Sequence, residues 1–143
     1  MKFSAIERRW IADIFDTMYP RDADPRLPLG VRDCDIDGYL DTIEQKWPAF
    51  SLFGYRATVI VIGLASIALL RTWRTFSLLT PDERIKVLAS IYASRFYVVR
   101  QLVILLKASA GIIYGSEPRV RAQLVRGDTN GRALYGVARA KEA

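Results

Sequence analysis

Along the first twenty positions, apolar residues recur at Ile6, Trp10, Ile11, Ile14, Phe15 and Met18. Steps of three and four predict an amphipathic helix from Ser4 to Tyr19. Ser4 is placed to cap it, Glu7 to close a capping box, and Pro20 to end it. "PRDADPRLPLG" (20–30) holds three prolines and a glycine and predicts an extended loop. A second helix is expected from Asp35 to Trp47, stopped by Pro48. The segment that follows, "YRATVIVIGLASIALLRTW", is apolar on all sides. Between Arg56 and Arg71 lie 14 uncharged residues. They make roughly 21 Å of helix, against about 30 Å for a bilayer core. A central core helix is therefore expected, with a membrane anchor through residues 48–70 as the alternative.

"TPDERIKVL" carries a well-marked helix start. Thr80 is the N-cap, Pro81 takes the first helical position, Asp82 suits the positive end of the dipole and Glu83 closes a capping box. Apolar positions then continue through Ile85, Leu88, Tyr92, Phe96, Val99, Val103, Leu106, Ala110 and Ile113. They form a stripe of about eight turns to Tyr114, with room for a break near Ala93 and Ser94. Gly115 is expected to stop this helix and Ser116 to cap a short one over 116–124. No period-two strand or internal repeat is visible. The pattern predicts an all-α fold: an irregular bundle of about five helices with a long amphipathic helix, a domain over 1–126 and an extended C-terminal arm or tail over 127–143.

One polar stretch needs separate weighing. "DCDIDGYLDTIE" (33–44) fits the calcium-loop template through Asp33, Asp35, Asp37, Gly38 and Glu44, with Asp41 at the water-bridging place. Two features favour a plain helix start. The entering segment "DPRLPLGVR" cannot be the helix such a loop requires. Ile36, Leu40, Ile43 and Trp47 also step by four, three and four, a helix face running straight through the supposed loop. Aspartates gathered at a helix N-terminus need no ion, because free N–H groups and the dipole already favour them.

Composition narrows the chemistry. The 143 residues include no histidine, which removes histidine bases, Ser-His-Asp and Cys-His centres and nearly all catalytic zinc arrangements. Cys34 is the single cysteine, so no intrachain disulfide forms, and a small half-buried side chain is expected there. An independent enzyme would need a carboxylate pair such as Asp37 with Asp41. The net charge of +6 is uneven: residues 1–47 carry −3, 48–118 carry +5 and 119–143 carry +4. Basic residues are scattered without a dense run, which argues against nucleic acid as partner. No signal peptide is read at the N-terminus, because Asp13 and Asp16 interrupt the apolar run after "ERRW". A cytoplasmic location is expected, or a periplasmic one by co-export with a signal-bearing partner.

The order of these features resembles the family of gluconate 2-dehydrogenase subunit 3. The resemblance rests on "IADIFDTMYP", "LPLGV", "DIDGYL", the apolar helix, and "FSLLTPDERIKVLASIYASRFYVVRQLVILLKASAGIIYGSEPRV". It spans roughly residues 4–124. It implies a non-catalytic small subunit that binds, stabilises and helps mature a large flavoprotein of the glucose–methanol–choline oxidoreductase group. FAD and the catalytic residues would then lie in that partner, and this chain would hold no cofactor of its own. Peripheral membrane association would come through the complex. From the residues themselves, Tyr92, Phe96, Tyr97, Arg100 and Tyr114 are candidates for the partner interface, since aromatic side chains and arginine are enriched there.

Overall fold

The computed structural model describes residues 2–125, so the arm expected over 127–143 lies outside the described residues. The chain forms α1 (Ala5–Met18), α2 (Ile36–Lys46), α3 (Ala49–Leu69), α4 (Pro81–Tyr92) and α5 (Tyr97–Ser116). Short 3₁₀ turns lie at Val31–Asp33 and Phe76–Leu78, and residues 118–125 are helical again. Among the described residues there is no strand, and the fold is the all-α irregular bundle expected.

The capping boxes form as the sequence predicts. Ser4 Oγ accepts from the Glu7 N–H at 3.2 Å, and Glu7 Oε2 accepts from the Ser4 N–H at 2.7 Å. At α4 the same exchange joins Thr80 and Glu83, at 2.9 and 3.3 Å. Each box satisfies two N–H groups that a bare helix end would leave unpaired.

α1 is the hub of the bundle. It packs against the other four helices and both 3₁₀ turns, and Ile11, Ile14 and Phe15 are wholly buried. Two of its carboxylates, Glu7 and Asp13, are buried as well. Such groups are tolerated only when paired. Glu7 accepts from Arg56 of α3 at 2.7 and 3.0 Å. Asp13 is paired with Arg32 and lies 3.5 Å from Arg84 of α4. Arg32 also reaches Asp16 at 2.9 Å.

α3 departs from expectation. Its inner side buries Leu52, Tyr55, Val59, Ile62 and Ser66, but its outer side is exposed. It is a flanking helix, and the central place belongs to α1. Mean hydropathy could not separate the two cases, because it does not register what covers an apolar side chain. α3 and α1 approach closely at Gly63, where a Cβ would stand 2.3 Å from the Trp10 ring.

The long stripe after Thr80 is also divided. α4 ends at Tyr92 and α5 begins at Tyr97, and the two fold back on each other. Phe96 adopts an extended backbone before α5, while the Ser94 hydroxyl accepts from the Phe96 N–H at 3.2 Å. That side-chain bond stabilises the turn against continued helix. At the far end α5 runs through Gly115 to Ser116. The Ser116 hydroxyl donates back to Ile112 O instead of capping a new helix. Glu117 is extended, as the residue before Pro118 is biased to be, and this ends α5. The 20–30 loop is pinned at its base by Val31 N–H to Tyr19 O, 3.0 Å, and by Tyr114 OH to Leu29 O, 2.8 Å.

Three substitutions test the hub. Asp13→Ala removes the carboxylate that Arg32 and Arg84 share, leaving Arg32 with Asp16 and Arg84 with the Ser77 carbonyl, and should lower the unfolding free energy in a urea titration by about 1–3 kcal/mol. Arg9→Ala, at an exposed position, should change it by less than about 0.5 kcal/mol in the same urea titration. Gly63→Ala forces Trp10 aside and should cost about 1–3 kcal/mol.

Candidate functional site

The calcium-template residues separate into three groups. Asp35 caps α2, its carboxylate accepting from the Gly38 N–H at 2.8 Å. Asp33 accepts from the Gly30 N–H at 2.9 Å and is paired with Arg21. The Arg21 hydrogen bond, reinforced by that N–H, holds the Asp33 carboxyl below its usual range. Asp37, Asp41 and Glu44 line the side of α2 that faces α1, where Arg8 spans all three at 3.0, 2.6 and 3.0 Å. Glu44 also accepts from the Phe3 N–H at 2.6 Å. The cation at this site is therefore a guanidinium from α1. Among the described residues no group of three or more acidic or thiol side chains is arranged to hold a metal ion.

Cys34 is half-buried, with its thiol 3.8 Å from Gly30 O. Burial, with Glu117 nearby, pushes the thiol pKa up, so at neutral pH it is the protonated, poorly nucleophilic form.

Four of the five interface candidates gather where α4 meets α5. Tyr92, Phe96 and Tyr97 are 57%, 62% and 65% exposed, and Val98 beside them is 70% exposed. The Arg100 guanidinium lies 5.9 Å from the centre of the Tyr97 ring, and Arg95 lies 5.3 Å from that of Phe96. Tyr114 is elsewhere and differently employed: its ring stacks on Tyr19 at 5.2 Å and its hydroxyl holds Leu29. Next to the aromatic corner, Ile85, Leu88, Ala89, Tyr92 and Val103 line much of an open groove of 340 Å³. A second hollow of 510 Å³ lies between α1 and the start of α4. Its arginines, Arg21, Arg32 and Arg84, are already matched by Asp33, Asp13 and Asp16.

The core-helix expectation leaves out the outer face of α3, which lies within the stretch 48–70 given as the alternative membrane anchor. Phe50 is 88% exposed and Phe53 63%, and Trp73, just beyond the helix, is 94% exposed. By length and composition α3 and α5 could each cross a bilayer, yet part of each is buried in the bundle. Compared with family models, curated proteins and solved structures, the chain finds no match.

The carboxylates predict a pH dependence. Burial alone pushes Glu7 up, but the Ser4 N–H and the Arg56 guanidinium outweigh it and hold it below its ordinary 4.5. A lowered folded-state value stabilises the fold above the unfolded pKa and ceases to do so as pH falls through the folded one. Unfolding free energy should therefore drop as pH is lowered from about 5, and Glu7→Gln should flatten that slope. Calcium up to about 1 mM should leave Trp47 fluorescence unchanged. A saturable micromolar response would mean that the ion displaces Arg8.

Proposed function

We propose that this chain is a non-catalytic helical subunit that docks on a larger protein through the corner where α4 meets α5. The observation that carries this reading is the cluster Tyr92, Phe96, Tyr97 and Val98, each more than half exposed at one turn of the chain. Exposed apolar clusters of this kind mark association surfaces. Rigid aromatic rings beside arginine supply much of the energy at protein interfaces. The adjoining 340 Å³ groove offers a place for a side chain of the partner.

The partner is a large flavoprotein of the glucose–methanol–choline oxidoreductase group. Support for that choice comes from the order of sequence features, from the N-terminal helix ending in Pro20 to the "TPDERIKVL" start and the aromatic end of α5. On this reading FAD and the reacting groups belong to the partner. The small subunit stabilises it and helps it mature by covering part of its surface.

Co-expression with a flavoprotein of that group encoded beside it should give a stoichiometric complex that survives gel filtration. Phe96→Asp with Tyr97→Ala should weaken the complex at least about tenfold while leaving the thermal melt of the isolated chain unchanged. A chain that stays monomeric and indifferent to the flavoprotein would contradict the reading.

A further inference from the structure

We infer that the outer face of α3 seats the protein on an anionic lipid surface, with the helix lying flat in the headgroup region instead of crossing the bilayer. At 100° per residue, Phe50, Phe53, Ile60, Val61, Leu64 and Ala68 fall within an arc of about 100°. All six are exposed. The stripe is about 27 Å long and contains no polar side chain.

Its chemistry selects lipid over protein. Phe50 and Phe53 on this face, with the exposed Trp73 just beyond it, are the aromatic side chains that a helix lying in the interface plane carries on its buried side. Charge agrees with this assignment. From residue 45 to residue 81 the chain holds four basic residues, Lys46, Arg56, Arg71 and Arg74, and no acidic one. Lys46 at one end and Arg71 at the other are exposed and suited to anionic headgroups, while Arg74 is paired with Glu83 at 2.8 Å.

The opposite side of α3 excludes a span. It packs on α1, which carries the Arg8 and Asp13 ion-pair networks, and at its flank the half-buried Arg56 is held by the buried Glu7. Drawing α3 across the hydrocarbon would drag these charges with it. The arrangement fits a helix embedded by one face only. This surface shares no residue with the aromatic corner of Tyr92, Phe96, Tyr97 and Val98.

The test is sedimentation of the full chain with vesicles of phosphatidylcholine, with and without one third phosphatidylglycerol. Binding should require the anionic lipid and weaken as salt rises, and Trp73 emission should shift to the blue. Val61→Asp with Leu64→Asp should lower partitioning at least about tenfold with helicity retained. Trp73→Ala, at a position 94% exposed, should lower it several-fold and keeps the test valid should the double variant misfold. Alkaline carbonate should release the protein without detergent. Absence of binding, unchanged binding in both variants, or release by detergent alone would overturn the inference. So would variants that keep lipid binding but lose the flavoprotein complex, which would assign this face to the protein partner. Failure of vesicle binding with that complex intact leaves the docking reading standing.

Discussion

Two buried carboxylates on α1 organise this bundle. Glu7 and Asp13 sit on the hub helix and draw in three arginines from different parts of the chain: Glu7 holds Arg56 of α3, and Asp13 holds Arg32 of the 3₁₀ turn and Arg84 of α4. Arg8 on the same helix does the converse, holding three carboxylates of α2. An unpaired charge at such depth is strongly destabilising, so these pairs select one arrangement of the helices around α1. Apolar contacts then fill the space between, with Phe15, Tyr55, Phe76 and Leu106 among the most buried side chains.

The consequence shows at the surface. Many of the charges are used in locating helices, and much of the apolar side-chain area points outward on α3 and at the α4–α5 corner. A protein organised in this way is suited to covering and being covered. The two outward faces differ in kind. The corner is aromatic and rimmed by Arg95 and Arg100, the composition of a protein interface. The α3 stripe is aliphatic along its length, aromatic at its ends and flanked by cations, the composition of a lipid-facing helix.

Much of this was legible in the sequence, for identifiable reasons. Local chemistry was read correctly: both capping boxes, the stop at Pro20 and the helix through "DGYLDTIE" depend only on neighbours within one or two turns. The turn at Ser94 was visible only as a weak point, because the apolar period runs through it and only the Ser94 bond to Phe96 shows where the helix stops. The ion pairs of α1 were not legible, since Glu7 and Arg56 are 49 residues apart and no local pattern joins them. For α3, the short uncharged run and all-round apolar pattern point to the core, but neither reports what covers a side chain. The missed signal was the 37-residue stretch from 45 to 81 without an acidic residue.

The most direct measurement is photo-crosslinking in cells from two exposed positions, with a benzophenone side chain replacing Tyr97 in one chain and Val61 in the other. Two faces with different occupants predict a discrete protein adduct of higher mass from position 97, and lipid adducts without a protein band from position 61. The same protein adduct from both positions, or no adduct from either, would contradict the account.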